Sequence, residues 1–461
     1  MNIYVDWQKV CKFAIKELHM IENRPHFATR LGVIATTVGS AVGLGNIWRF
    51  PYEAGANGGG AFLLIYIACI VVIGIPVVCA EFVMGRASRR NIFGAFRTLA
   101  PRGGRWWSAV GVLGITGSTL ILAFYSVVAG WTAEYFVQSV CGSLADVASG
   151  ERRAAFDSFT GGWRCVMWTL VILGLNCLIV LGGVRKGIER VSNLLMPLLF
   201  VLLLTLALNS LLLPGAADGL AFLFRPDFST VDSGVILSAL GQAFFSLSLG
   251  LGTMMIYASY FSHRTPLLKS AATTAGLDTM VALVAGVIIF PAVFTFGAEP
   301  AAGPKLVFEV LPDIFRMMPA GAVWSTLFFL LLLLASLTST ISMSEISVAY
   351  FCEQWGMSRR KAVAVNTSVA VVLGTLCALS FGPLSDLQIC GMTVFNLFDC
   401  VASNIIMPLG GMLISIFSGW VLSRNVLQAE LSPIPRALLR ALTFSLRYIA
   451  PGAIAVIFIA Y

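Results

Sequence analysis

GSAVGLGNIWRFPYE, residues 39–53, places glycines and polar side chains inside a stretch otherwise apolar enough to cross a membrane. Glycine costs about 1 kcal/mol relative to alanine in a helix interior. Hydrocarbon offers freed backbone groups no partners, so a break of this kind persists only beside a cavity or a ligand. A broken helix aims N–H groups at an anion from one side and carbonyls at a cation from the other. The alternative is a glycine kink used only for close helix packing. This stretch by itself leaves both readings open.

Composition sets the surroundings. Of 461 residues, 58% are hydrophobic and 11% charged, whereas soluble domains carry about 25% charged residues. The chain reads as an all-α, polytopic membrane protein. Its net charge of +8 resides mostly in short loops, which points to membrane topology and not to nucleic acid. The ten cysteines form no paired motif, and the three histidines are too scattered for a metal site. Residues 1–23 lack a continuous apolar core and set Trp7, Val10, Ala14, Leu18 and Ile21 on one helical face. They read as a cytoplasmic amphipathic segment on the inner membrane surface.

A span needs about 20 apolar residues. Eleven segments qualify: 31–55, 61–85, 108–138, 163–183, 191–213, 233–260, 270–296, 322–352, 362–382, 390–421 and 438–460. Basic clusters alternate to one side, with Arg86, Arg89 and Arg90 after span 2, Arg185 and Lys186 after span 4, and Arg264 and Lys269 after span 6. Arg359, Arg360 and Lys361 after span 8, and Arg424, Arg436 and Arg440 before span 11, continue the series. The opposite loops are acidic or mixed. The N-terminus is therefore expected in the cytoplasm of a multi-pass cell-membrane protein and the C-terminus outside.

Span 6 repeats the interruption of span 1. Residues 241–253, GQAFFSLSLGLGT, again put small and hydroxyl residues at mid-membrane, five spans on and in the opposite orientation. Paired breaks in two five-span halves point to an inverted-repeat transporter whose site lies at the midplane. The halves are expected at 24–213 and 214–421, followed at 422–461 by a cytoplasmic loop and the eleventh helix.

RPHFATRLGVIATTVGSAVGLGNIWRFPYEAGANGGGAF, residues 24–62, resembles the start of the neurotransmitter:sodium symporter family. So do EFVMGR at 81–86, YSVVAGW at 125–131, KGIER at 186–190, AADGLAFLFRPDF at 216–228, YASY at 257–260, ASLTSTIS at 335–342 and SRRKAV at 358–363. The resemblance covers almost the whole chain and implies the fold of the family's bacterial leucine-transporting archetype, lacking its twelfth helix.

The resemblance further implies two sodium sites. The first would use Ala41, Asn46, Ser246 and Asp278 with the substrate carboxylate. The second would use carbonyls of Gly39, Val42 and Ala335 with the hydroxyls of Thr338 and Ser339. All supply hard oxygen ligands. The bland reading of Thr338 and Ser339 is hydroxyls bonding back to carbonyls one turn earlier.

Gly43 stands where the family's monoamine carriers place an aspartate, so the substrate is expected to bring its own carboxylate. That carboxylate would meet the N–H groups of Leu44 and Gly45 and the Tyr125 hydroxyl, and the ammonium would meet carbonyls of Ala41, Phe245 and Ser246. Ser40, Ile121, Tyr125, Phe245, Ser248, Leu251, Ser339, Ser342 and Met343 complete a pocket without charge to meet an acidic or basic side chain. This implies a neutral amino acid, aliphatic or aromatic. The alternatives are a non-amino-acid zwitterion such as an osmolyte, or an amino-acid-sensing transceptor. An enzyme is not expected, because no catalytic constellation is visible.

Arg49 and Asp399 match the family's outer gate, and Arg24 and Glu353 its inner latch, with Tyr260 nearby. Glu81 is expected to accept from the loosened backbone of span 6, and Glu345 reads as packing against a polar neighbour. Asp278 departs from the family's usual asparagine. Tyr66, Gln242 and Ser246 match three of the four residues that hold chloride in chloride-dependent members, and Ala282 lacks the last hydroxyl. A fixed carboxylate can supply the charge that chloride would, so transport is expected not to require chloride. A protonated Asp278 mimicking asparagine is the competing reading.

Overall fold

The protein is described from a computed structural model that covers residues 26–297 and 306–460. The expected amphipathic segment 1–23 and the latch residue Arg24 lie outside those residues.

Among the described residues the architecture is helical, and the sole extended pairing is an isolated bridge between Ile389 and Met392. Eight helices are long and apolar enough to cross a membrane, and Arg30–Ala41 with Gly45–Ala56, bent by 52°, makes a ninth. Of the other two expected spans, span 6 is interrupted and span 11 is helical throughout its described residues with a π turn. Span 6 is split into Ser233–Ser246 and Thr253–Ala258, and span 11 runs as Arg436–Phe444, Ser445–Ile449 and Ala450–Ala460. The count of eleven therefore rests on the sequence.

Span 1 starts where the Thr29 hydroxyl caps Gly32 N at 2.9 Å. It stops at Val42, whose ψ of 119° is extended. The Val42 N–H still reaches Val38 O at 2.7 Å, and helical winding resumes at Gly45. Span 6 unwinds over 247–252, where Ser248, Gly250 and Gly252 have φ of 50°, 86° and 76°. Gly250 combines a left-handed φ with close backbone approach: a Cβ there would stand 2.1 Å from Met407 O and 2.5 Å from Gly411 N.

The two broken helices run antiparallel. The chain before the first half of span 1 bonds the end of span 6, with Phe27 N donating to Tyr260 O at 3.2 Å. The second half meets the start of span 6, where Gln242 Nε2 donates to Gly45 O at 2.9 Å. Around them the helices form two groups. Spans 1, 2, 6 and 7 pack on one another, and span 3 (Arg105–Cys141) packs with span 4 (Trp163–Leu181), span 8 (Gly321–Gln354) and span 9 (Arg359–Leu379). Leu178, Leu194, Leu208 and Val372 are exposed on the outside, as acyl chains require.

The unwound backbone of span 6 finds its partner in Glu81, as expected. Gly250 N donates to Oε1 at 3.1 Å and Met255 N to Oε2 at 3.3 Å. Glu81 is fully buried. Glu81→Ala strands two buried donors and is expected to lower stability by about 2 kcal/mol. Glu81→Gln, which keeps one acceptor oxygen, should lose less; denaturation of the purified protein compares them.

Candidate functional site

The break in span 1 is closed by its own asparagine. Gly43 N donates to Asn46 Oδ1 at 3.0 Å, and Asn46 N returns to Gly43 O at 3.2 Å. The Asn46 Nδ2 group lies 2.9 Å from Ser246 Oγ, 3.0 Å from Asp278 O and 2.8 Å from Asp278 Oδ1. Ser246 donates to Asp278 Oδ2 at 2.6 Å, and Tyr66 donates to Ser246 at 3.2 Å. The fold thus gathers Asn46, Tyr66, Gln242, Ser246 and Asp278, from four spans, at 1% exposure or less.

One feature departs from the expected ligand set. Asn46 turns its NH₂, not its oxygen, toward Ser246 and Asp278, because the amide oxygen is engaged by Gly43 N. The NH₂ satisfies the oxygens assigned to the cation. Rotating the amide by 180° would turn its oxygen to Ser246 and Asp278 and take the acceptor away from Gly43 N.

A second oxygen cluster lies on the other side of the break. Ser339 donates to Val42 O at 3.4 Å and Thr338 to Ala335 O at 2.9 Å. A Cβ on Gly39 would lie 3.6 Å from Thr338 Cβ. Thr338 therefore makes the back-bond that membrane helices favour, while each hydroxyl oxygen keeps lone pairs for a cation.

Between the clusters the backbone is pressed against side chains. A Cβ on Gly43 would stand 2.6 Å from Ser339 Oγ and 2.8 Å from Tyr125 Oη. Leu44 N donates to Tyr125 Oη at 2.8 Å. Phe245 lies against Gly45, Ser248 Oγ is 3.5 Å from Ser40 O, and Leu251 packs on Gly117. Ser40 Oγ is buried without a hydrogen-bond partner. Ala41 ends the first half-helix, where carbonyls lose intrahelical partners. Ile121 and Met343 are buried. Ser342 donates to Thr338 O at 3.1 Å and meets Tyr257 Oη at 2.8 Å. Tyr257, one turn before Tyr260, was not among the expected site residues; its place in YASY is the only sequence signal for it.

At one face of the helix bundle Arg49 pairs with Glu53 at 3.4 Å and lies 4.6 Å from the Phe245 ring centroid. Asp399 accepts from Ser403 at 2.7 Å. The two residues matched to an outer gate therefore do not pair with each other here, since each finds a partner one turn along its own helix.

At the opposite face Glu353 accepts from Asn91 N at 2.8 Å and Nδ2 at 2.7 Å. Tyr260 donates instead to Glu345 Oε1 at 2.8 Å, and Arg359 grips the same carboxylate at 2.7 and 3.2 Å. Glu345 thus pins span 6 and the start of span 9 to span 8, a role its isolation in the sequence did not reveal. Glu189 accepts from Ala28 N at 3.0 Å and Thr29 N at 3.3 Å. Burial, then the Arg89 guanidinium, holds His26 below the usual histidine range; neutral at pH 7, its Nε2 accepts from Arg89 at 3.2 Å.

The sequence matches the pattern of the sodium:neurotransmitter symporter family over residues 24–152 and 158–461. It is 40% identical to the sodium-dependent transporter YhdH of Bacillus subtilis over 445 residues, 95% of this chain and 98% of the relative. It is 35% identical to a sodium-dependent transporter of Haemophilus influenzae over 449 residues, again 95% and 98%. The fold superposes on the crystal structure of MhsT in complex with L-phenylalanine with TM-score 0.88 and 44% identity, covering 95% of this chain and 100% of that one.

Removing a carboxylate that holds a buried guanidinium and a tyrosine costs about 3 kcal/mol when the remaining charge is left unpaired. Glu345→Ala is expected to approach that value, somewhat reduced because Arg359 is 27% exposed. A double-mutant cycle with Arg359→Ala, read by thermal melting, should show non-additivity.

Proposed function

The chain belongs to the sodium:neurotransmitter symporter family, and on that premise we propose that it couples sodium entry to uptake of a neutral amino acid, aliphatic or aromatic. The observation that carries this reading is Gly43. Its Cα is crowded by Ser339 Oγ and Tyr125 Oη and carries no side chain, so on this reading the negative charge at this point of the break arrives with the substrate. An α-amino acid brings a carboxylate for the N–H groups of Leu44 and Gly45 and for Tyr125, and an ammonium for carbonyls of Ala41, Phe245 and Ser246. The likeness to MhsT, solved with L-phenylalanine, supports an apolar side chain. So do Ile121, Leu251 and Met343, with Ser248 and Ser342 as the small polar lining.

The substrate carboxylate would complete a first sodium site with Ala41, Ser246, Asp278 and the rotated amide of Asn46. The second sodium would take the carbonyls of Gly39, Val42 and Ala335 and the hydroxyls of Thr338 and Ser339, replacing their present hydrogen bonds to one another. In the proposed cycle spans 1, 2, 6 and 7 tilt against the rest, and residues 24–213 and 214–421 act as inverted halves. Arg49 would pair with Asp399 when the outer side closes, giving up Glu53. Arg24, Glu353 and Tyr260 would form the inner latch. Each net positive charge that enters contributes about 2.3 kcal/mol per 100 mV.

Asp278 is proposed to replace chloride. Asn46 and Ser246 each donate to one of its carboxylate oxygens, fixing it among the residues matched to a chloride site. The basic loops are proposed to face the cytoplasm. Their contact is consistent with this, since Arg86 donates to Thr265 O and Glu430 O, both at 2.5 Å.

Uptake of labelled L-phenylalanine into proteoliposomes should require an inward sodium gradient, and indifference to sodium would eliminate the proposal. Asn46→Ala and Ser339→Ala should each raise the half-saturating sodium concentration about tenfold, the change for about 1.4 kcal/mol. Gly43→Asp should abolish uptake, by crowding Ser339 and Tyr125 and by setting carboxylate against carboxylate. Exchange of chloride for gluconate should leave wild-type uptake unchanged; a fall to background would refute the role given to Asp278.

A further inference from the structure

Where span 10 (Val394–Val421) ends and span 11 begins, the chain folds back through the short helix Arg424–Leu431 and encloses a cavity of about 310 Å³. Arg424, Arg440 and Arg447 all line it. From Val401 to the C-terminus the chain holds four arginines and a single acidic residue, Glu430. Glu430 is taken by Arg86 at 2.5 Å, so it does not neutralise the cavity. Arg447 is fixed, its Nε donating to Gly419 O at 2.5 Å and its guanidinium lying 5.2 Å from the Trp420 ring centroid. Arg424 and Arg440 are exposed and meet no carboxylate among the described residues.

The rest of the wall sets the aliphatic Leu422, Leu427 and Leu439 beside the neutral polar Ser418, Gln428 and Thr443. Phe444 and Tyr448 line the cavity, and Trp420 packs edge-on against Tyr448, each more than half exposed. Aromatic side chains of this kind settle at the membrane interface, and clustered arginines beside them meet phosphate. A soluble anion would need only the cations. A lipid also accounts for the aromatic and aliphatic lining that leads from the cations to the hydrocarbon-facing surface.

We propose that this cavity holds the phosphodiester headgroup of one anionic phospholipid of the leaflet that meets the basic loops, with Arg424 and Arg440 on the phosphate and the acyl chains running along Phe444 and Tyr448. The site is separate from the central break, and the proposal stands whether or not the transported substrate is an amino acid.

Native mass spectrometry of the detergent-purified protein, titrated with dioleoyl phosphatidylglycerol or dioleoyl phosphatidylcholine, tests it. One phosphatidylglycerol should be retained in preference to phosphatidylcholine. Arg424→Ala/Arg440→Ala should weaken that binding at least about tenfold, while Arg424→Lys/Arg440→Lys keeps most of it. Arg97→Ala/Arg105→Ala removes the same charge from exposed positions outside the cavity and should leave binding unchanged, with all variants checked for equal melting temperature. Equal retention of the two lipids, equal losses in the two alanine doubles, or displacement of phosphatidylglycerol by millimolar inorganic phosphate would overturn the proposal.

Discussion

A backbone N–H or carbonyl at mid-bilayer has no water to turn to, and leaving one unsatisfied costs several kcal/mol. Two helices of this protein nevertheless stop and restart there. Span 1 tolerates this because Asn46 folds back to accept from Gly43 N and Tyr125 accepts from Leu44 N. Span 6 tolerates it because Glu81 reaches across from span 2 to Gly250 and Met255. The breaks therefore depend on side chains supplied by spans 1, 2 and 3, and those side chains are buried because the breaks need them. The two features stabilise each other.

The same economy shapes the centre. Asp278 and Ser246 present oxygens to Asn46 Nδ2, while Val42 and Ala335 present carbonyls to hydroxyls of span 8. Such oxygen clusters can pass from one partner to another at small net cost, because each hydrogen bond given up is replaced by a contact to an equally polar group. A core left unsatisfied would not fold.

At the two faces, charge does different work. At the face that carries Arg49, Glu53 and Asp399 these side chains are partly exposed; Arg49 pairs with Glu53 and lies over Phe245, Glu53 also accepts from Ser238 of span 6, and Asp399 accepts from Ser403. At the opposite face, Glu345 with Arg359 and Tyr260, and Glu189 with the backbone at Ala28 and Thr29, tie spans 1 and 6 to spans 5, 8 and 9.

Much of this was legible in the residues. The apolar runs, the glycine-rich breaks at 39–53 and 241–253, the alternation of arginine loops and the buried carboxylate at 81 each carry a local signature, because hydrocarbon imposes the same demands on every segment that crosses it. Which atoms meet was not legible. Asn46 turning its oxygen to Gly43, Arg49 choosing Glu53 over Asp399, and Glu345 gripping Arg359 and Tyr260 are choices among partners that sequence spacing leaves equally available. So is the closing of Arg424, Arg440 and Arg447 around one cavity. They are settled only when helices distant in the chain are packed side by side, since hydrogen bonds and ion pairs depend on separations of a few ångströms that no single segment contains.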